Sequence, residues 1–483
     1  MTPAIASLLD SVRSALGPKA VITDPAEIAP WLSDWRGRYH GDAPAILAPD
    51  SRDGVATILA LAHAARVPLV PQGGNTGMVG GATPPADGSA LILSLRRMNR
   101  IRSVSAADGL AIAEAGVILA TLHEAAEAEG MRFPLTLGAY GSATIGGLCS
   151  TNAGGTQVLR FGTMRSLVAG VEAVLPDGSV HDGLAALKKD NRGYDLNQLL
   201  VGAEGTLGII TAATLRLVPA VVARAVAWVG LADPEAALAL LRRLESGTDS
   251  IESFEIIPDE TLALVLKHVP GLRAPLDSAQ KWHVLVESVT DDPAAAESPA
   301  AVLERLLAPA IADGLVADAV ISASEAQAES FWRIRHSISE AERADGPAMQ
   351  HDISVPVAAM PRFMVEGAAA CEARFPGTRA SGFGHLGDGN VHFHVRAPRG
   401  VEPTRWYAEE GPVITRFVND LVVASGGSIS AEHGIGQMKL AELERLSSPA
   451  RMAALRAIKA AFDPHALMNP GKLVALAPSA AAP

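Results

Sequence analysis

The chain has 483 residues, 48% of them apolar and 19% charged, and a net charge of −12. That length exceeds a single core and indicates two or three domains, while the acidic balance excludes nucleic acid as a partner, because phosphate recognition needs a basic surface. Cys149 and Cys371 stand far apart and outside any CxxC, which excludes a cysteine metal site or disulfide framework and fits a reducing, cytoplasmic setting.

Ile5, Leu8, Leu9, Val12 and Leu16 recur at helical spacing with no basic leader before them. The start therefore reads as an amphipathic surface helix and not as a signal peptide. Residues 44–48 read as a short buried strand, Val55, Ile58, Leu59 and Ala62 mark a helix, and residues 68–71 read as a second strand, together a βαβ unit. Residues 90–95 and 110–114 are further strands, and Leu119, Leu122 and Ala126 mark another helix. Asp177-Gly178 turns a hairpin between apolar runs. Residues 213–218 alternate and read as a half-buried strand, closed by Pro219. The longest apolar run, 217–232, contains Pro219 and Arg224 and is too short to span a bilayer. Beyond it, Ala/Leu/Glu helices over 234–245 and 299–307 alternate with strands such as 282–287, an α+β pattern with an antiparallel sheet. In a strand over 391–395, Val391, Phe393 and Val395 point one way and His392 and His394 the other. A last helix covers 449–462, and the Ala/Pro/Ser tail over 476–483 reads as disordered.

Three glycine-rich loops fall in the first half. The first runs Pro71, Gln72, Gly73, Gly74, Asn75, Thr76, Gly77. It is not the GxGxxG of a Rossmann site, but consecutive Gly and Asn let backbone N–H groups curl into an anion-binding nest. The second passes through Gly138, Gly141, Ser142, Ile145 and Gly146 and then Asn152 and Gly154; the third holds Gly205, Thr206, Gly208 and Ile209. One such loop would be an ordinary turn. Three of them suit backbone laid directly against a flat ligand.

The second half carries the reactive side chains. His385 and His392 flank the turn Gly387-Asp388-Gly389-Asn390, and Glu432 and His433 lie side by side in a later loop. Neutral imidazoles and a carboxylate suit a zinc-like ion that keeps one position open for substrate. A spare histidine beside it suits a proton acceptor. Asn390 is placed to hydrogen-bond a substrate oxygen, and His394 to support His392 from the same face. A His/His/Glu metallohydrolase would use the same donors but has no need of the glycine loops.

The glycine motifs together resemble the flavin-binding half of the vanillyl-alcohol oxidase/p-cresol methylhydroxylase (PCMH) family. The stretches Gly-His-Leu-Gly-Asp-Gly-Asn-Val-His and Ser-Ala-Glu-His-Gly-Ile-Gly resemble its FAD-dependent D-2-hydroxyacid dehydrogenase branch, which includes D-2-hydroxyglutarate and D-lactate dehydrogenases. The similarity runs from near Trp35 to Lys472. It implies an α+β fold: an N-terminal helical segment over 1–37, a two-part PCMH-type FAD-binding domain over 38–218, and a substrate-binding cap over 219–428 with an antiparallel sheet and flanking helices. A C-terminal segment over 429–475 would return to the FAD domain and bring Asn469 to the cofactor. The resemblance implies FAD with its diphosphate at residues 72–77, noncovalent because that loop holds neither histidine nor cysteine. It implies His385, His392 and Glu432 as ligands of one divalent ion, zinc or, since N/O donors discriminate weakly, manganese or another metal. His433 would be the base, and Arg335 with Ser339 would hold a substrate carboxylate. The implied reaction oxidises a D-2-hydroxyacid to the 2-oxoacid by hydride transfer to flavin N5. An electron-transfer flavoprotein or a quinone would then take the electrons, or oxygen in an oxidase of the same fold, and a homodimer is left open. Relatives that oxidise dicarboxylates carry lysine where this chain has Gln350. That neutral pocket residue keeps D-2-hydroxyglutarate, D-malate and D-lactate all open.

Overall fold

The computed structural model describes residues 1–476, and the tail read as disordered lies outside the described residues from 477 on. The chain divides into two compact units. The first comprises Met1–Gly155, Phe161–Pro219 and the chain from Glu432 onward; the second comprises Thr156–Arg160 and Ala220–Ala431.

The first unit opens on the helix Pro3–Leu16, capped by the Thr2 hydroxyl with proline at its start, both favourable at a helix N-terminus. Its buried Ile5, Leu8, Leu9 and Val12 share a core with Val55, Ile58, Leu59 and Ala62 of the helix Arg52–Ala65. Strands β1 (Val21–Ile22), β2 (Ile46–Leu47), β3 (Leu69–Gln72) and β4 (Leu91–Ser94) form a sheet in the order β1-β2-β4-β3. Pairing is parallel from β2 through β3. The βαβ unit read from the sequence is therefore the crossover from β2 to β3, with β4 seated between its two strands. Next come β5 (Ile101–Ser105), β6 (Leu110–Glu114), β7 (Met131–Arg132), β8 (Val168–Val174), β9 (Val180–Asp182), β10 (Ile209–Arg216) and β11 (Val218–Pro219). β7 and β11 make a two-stranded ribbon, and the other five make an antiparallel sheet in the order β5-β6-β10-β8-β9. The alternation in β10 suggests a half-buried strand, but every residue from Ile209 to Leu215 is buried. Its threonines tolerate this because they are bonded: Thr211 Oγ1 donates to Glu172 Oε1 at 2.9 Å and Thr214 Oγ1 to the Leu184 carbonyl at 2.7 Å. A buried hydroxyl is costly only when it lacks a partner.

The second unit is built on seven antiparallel strands, β12 (Ala223–Leu231), β13 (Ile251–Pro258), β14 (Trp282–Thr290), β15 (Asp318–Ile321), β16 (Ala348–Ser354), β17 (Arg379–His385) and β18 (Asn390–Arg396). They lie in the order β15-β12-β14-β13-β17-β18-β16. Helices Pro234–Gly247, Pro299–Ala312, Met360–Arg374 and Gly411–Ala424 share a core with one face. Helices Asp259–His268, Glu325–His336 and Ile338–Asp345 cover the other. Val391, Phe393 and Val395 belong to the first core. Each such side chain contributes about 1.5–3 kcal/mol on burial, so period-two alternation sends His392 and His394 to the opposite face. Among the described residues no helix is long and apolar enough to cross a membrane.

Candidate active site

Register turns the motif on β18 into a surface. Asn390 lies between Ser354 of β16 and His385 of β17, His392 between Asp352 and Phe383, and His394 between Gln350 and Ser381. Residues at every second position share a face, so these nine side chains form three rows on one side of the sheet. The predicted His385, His392, Asn390, His394 and Gln350 are thus brought together within one unit. The turn between β17 and β18 requires Gly389. Its φ is +81°, and a Cβ there would stand 2.1 Å from the Val355 carbonyl oxygen.

His385 Nδ1–H donates to Glu255 Oε1 at 2.6 Å, and its ring centroid lies 5.5 Å from that of His392. Burial, reinforced by the nearby positive charge of Arg335 and His385, holds His392 well below the ordinary histidine range. The ring is neutral near pH 7, and neutral imidazole is the form that binds a metal. Asn390 Nδ2 donates to Asp352 Oδ1 and to the Ile353 carbonyl, both at 3.0 Å. Two acceptors on that side decide the amide's orientation. They leave Asn390 Oδ1 as a buried acceptor with no partner among the described residues. Two imidazoles beside an inward-facing amide oxygen fit a cation and a substrate hydroxyl.

Arg335 comes from the helix Glu325–His336, where Ala328, Phe331, Trp332 and Arg335 are buried at helical spacing. Its Nε donates to Glu255 Oε2 at 2.7 Å, and its guanidinium carbon lies 5.2 Å from the centre of the Phe383 ring. Burial opposes ionisation of Glu255, but the charges and hydrogen bonds of His385 and Arg335 keep its carboxyl well below the usual range. Ser339, four residues after Arg335, is exposed. His394 Nδ1–H donates to buried Glu342, whose Oε1 has no partner among the described residues, nor has Ser381 Oγ. Glu255, Glu342 and Asp352 escaped the sequence reading. For Glu255 the available signal was a carboxylate between apolar strand neighbours, Phe254-Glu255-Ile256, because a charge buried there must be paired.

The first unit gathers the glycine loops. Gly73 and Gly74 leave β3 and lie against the second cluster: a Cβ on Gly74 would fall 1.9 Å from the Ser142 carbonyl oxygen, and one on Gly73 2.2 Å from Thr144 Oγ1. Gln72 Nε2 donates to the carbonyls of Trp31 and Ala82, at 3.0 Å each, and Asn75 Nδ2 to that of Ser33 at 2.8 Å. These two side chains brace the loop from behind. The helix Ile145–Thr151 ends at Asn152, whose Oδ1 accepts from Thr163 Oγ1 and the Arg165 N–H. Gly205, Thr206, Gly208 and Ile209 are buried, and the chain's own packing accounts for these glycines, with Pro71 against Gly205 and Val174 against Gly208. Gly77, Gly138 and Gly141 differ, since a Cβ on any of them meets nothing within 4 Å. That is room for a ligand.

The C-terminal segment returns to this unit. Met468 bridges to Leu69 of β3, and Lys459 Nζ donates to Asp463 Oδ2, the Thr206 carbonyl and the Met468 carbonyl at 2.6–2.9 Å. This seats Asn469, whose Nδ2 donates to the carbonyls of Gly81 and Glu204. Asn469 Oδ1 and Thr144 Oγ1 are buried with no partner among the described residues. Glu432 and His433 are the first residues of this unit after the chain leaves the second at Ala431. Their loop is fastened by Glu204, which accepts from the Ile435 and Gly436 N–H groups at 2.7 Å each.

Comparison with known proteins finds two family models along the chain. An FAD binding domain model matches residues 43–183, and the model of the C-terminal domain of FAD linked oxidases matches 222–473. D-2-hydroxyglutarate dehydrogenase, mitochondrial, of Arabidopsis thaliana is 36% identical over 465 residues, covering 96% of this chain and 80% of that protein. The chain belongs to the FAD-dependent D-2-hydroxyacid dehydrogenases. The D-2-hydroxyglutarate dehydrogenase of Xanthomonas citri pv. viticola is also 36% identical, with 96% of each chain covered. In fold, this dehydrogenase resembles p-cresol methylhydroxylase, with a TM-score of 0.75 at 14% identity over 98% of this chain and 97% of that one. Alkyldihydroxyacetonephosphate synthase gives 0.70 at 17% identity, covering 98% and 86%. FAD is the dehydrogenase's cofactor, and the first unit fits it. Orphaned polar atoms on Thr144 and Asn469 stand among backbone braced from behind, with space beside Gly77, Gly138 and Gly141. Buried polar atoms in native proteins have partners, and a polar cofactor would supply them.

Proposed function

We propose that this enzyme oxidises a D-2-hydroxyacid to its 2-oxoacid with noncovalent FAD held by residues 71–77, 138–154 and 205–209 and Asn469. We assign one divalent ion, zinc in the first instance, to His385, His392 and Glu432. The observation that carries the reading is the polar face of the second unit's sheet, where His392 and His394 flank Phe383 beneath Arg335 and His385 and Asn390 form the next row. When bound, FAD supplies a hydride acceptor at N5 and the ion a Lewis acid that lowers the pKa of the α-hydroxyl. The chain's own groups position the acid and move the proton. Arg335, with Nε committed to Glu255, turns its two Nη groups to a substrate carboxylate, a bidentate match, and we assign the assisting hydroxyl to Ser339, exposed at the start of the next helix, Ile338–Asp345. Asn390 Oδ1 accepts from the hydroxyl. His433 takes the hydroxyl proton, and bound FAD would accept the α-hydrogen as hydride.

Gln350 shares its row with His394 and Ser381, one row from His392. There it meets the far end of the substrate with a neutral amide. Relatives are named for D-2-hydroxyglutarate; without the lysine, this enzyme prefers that acid over D-malate or D-lactate less strongly. An electron-transfer flavoprotein or a quinone would serve as the electron acceptor, a reading drawn from the family resemblance. The test is anaerobic mixing with a panel of D- and L-2-hydroxyacids. D-acids should bleach the flavin and L-acids should not. A flavin that no D-2-hydroxyacid bleaches would overturn the proposal.

A further inference from the structure

Glu255 has no role in the chemistry described so far. It sits in β13, directly opposite His385 of β17, and is wholly buried. Its two oxygens serve two different donors, Oε1 the His385 Nδ1–H at 2.6 Å and Oε2 the Arg335 Nε–H at 2.7 Å. A carboxylate only accepts, so each partner must present hydrogen to it. For neutral His385 this puts the proton on Nδ1 and the lone pair on Nε2. For Arg335 it ties down Nε and turns the two Nη groups away, while the Phe383 ring lies 5.2 Å from the guanidinium carbon.

We propose that Glu255 is a positioning residue that sets the tautomer of His385 and the orientation of Arg335 with one carboxylate, so that the histidine ligand and the carboxylate anchor are fixed by the same group. The inference rests on the assignment of His385 and Arg335 under Proposed function. It makes a demand that a merely space-filling glutamate would not. Glutamine at this position has one accepting oxygen and one donating amide, so it can serve only one of its two neighbours. If the oxygen faces Arg335, the amide faces His385 Nδ1, and the ring proton must move to Nε2. If the oxygen faces His385, the amide opposes the Arg335 Nε–H, donor against donor.

The decisive measurement needs no turnover. In FAD-loaded, metal-free protein at a pH where His385 is neutral, imidazole ¹⁵N spectra, assigned with the help of His385→Asn, should show the single ring proton of His385 on Nδ1. Protonation at Nε2 instead overturns the proposal whatever the variants do. Glu255→Gln should weaken Zn²⁺ binding, followed by competition with a chromophoric chelator, by roughly 10–100-fold, the usual effect of losing a partner behind a metal-bound histidine. With saturating metal, KM for the hydroxyacid should also rise by roughly tenfold, as for loss of one charge-assisted hydrogen bond. Flavin content should be unchanged. Wild-type Zn²⁺ affinity in Glu255→Gln, with His385→Asn strongly weakened, removes Glu255 from the account and leaves the metal assignment standing. Unchanged Zn²⁺ affinity in His385→Asn itself removes the metal assignment.

Discussion

His433 is held from behind. Glu204 accepts from the N–H groups of Ile435 and Gly436, and a Cβ on Gly434 would lie 2.8 Å from Glu204 Oε1. A loop so fastened limits how far the imidazole can swing, and placement is most of what a general base contributes. His433→Ala is expected to slow flavin reduction by about 10²–10⁴ in anaerobic stopped-flow. The dissociation constant of the acid should change much less, since the proposed carboxylate anchor, Arg335, is untouched; a wild-type rate of reduction would remove His433 from the role. Gln350 makes a second claim at this scale. A charge-assisted hydrogen bond to a far carboxylate is worth about 1.5–3 kcal/mol, or roughly ten- to a hundredfold in kcat/KM. Gln350→Lys should therefore shift the ratio of kcat/KM for D-2-hydroxyglutarate over D-lactate upward by that factor. Arg379, one row further along the sheet, does not already fill the role, because Asp345 holds it at 3.2 Å. An unchanged ratio would show that residue 350 does not meet the substrate. His392 and His394 were legible because they alternate with Val391, Phe393 and Val395, which fixes the face they occupy, whereas Gln350 was legible only through the family resemblance. Glu255 was not, because its partners lie 80 and 130 residues away in the chain. A buried carboxylate announces that it has a partner and not which one.

Elements carry the site by register. The β17–β18 hairpin was legible as a turn between two histidines, yet only pairing with β16 shows that Asp352 and Gln350 share its polar face. The helix Glu325–His336 could be read for amphipathicity, but which strand Arg335 meets is a tertiary fact. The next helix, Ile338–Asp345, ends in a charge cluster. Asp345 accepts from Lys267, His268 and Arg379. Burial pushes its carboxyl upward, but those donors outweigh it and bring the pKa down to about 2 from 3.8. A depressed carboxyl stabilises the fold above its unfolded pKa, and that contribution is lost as pH falls through the folded one. The window thus runs from near pH 4 down to about 2. Asp345→Asn should lower the urea midpoint at pH 7. Its midpoint should then fall less steeply than that of the wild type between about pH 4 and 2. Parallel profiles for the two proteins would show that the cluster contributes nothing to the fold.

At the scale of the whole molecule, the first unit is discontinuous: the chain leaves it at Pro219 and re-enters at Glu432. A change of texture after Pro219 marked the exit in the sequence. The return is legible only by resemblance, because no composition shift accompanies Glu432, and the ties that hold the returning segment, from Lys459 to the Thr206 carbonyl and from Asn469 to the Glu204 carbonyl, span more than 250 residues. The division has a measurable consequence. The loops assigned to FAD lie in the first unit, whereas two of the three assigned metal ligands, His385 and His392, lie in the second, so loss of metal and loss of flavin should be separable. Dialysis against a strong chelator should abolish turnover while the protein stays yellow with one FAD per chain, and Zn²⁺ should restore activity. Denaturing that chelated protein with acid should leave all the colour in the supernatant, since residues 71–77 offer no histidine or cysteine for a covalent bond. Flavin that departs with the metal in equal proportion would show that the two are held by one structure. Flavin that stays in the pellet would place a covalent attachment outside that loop.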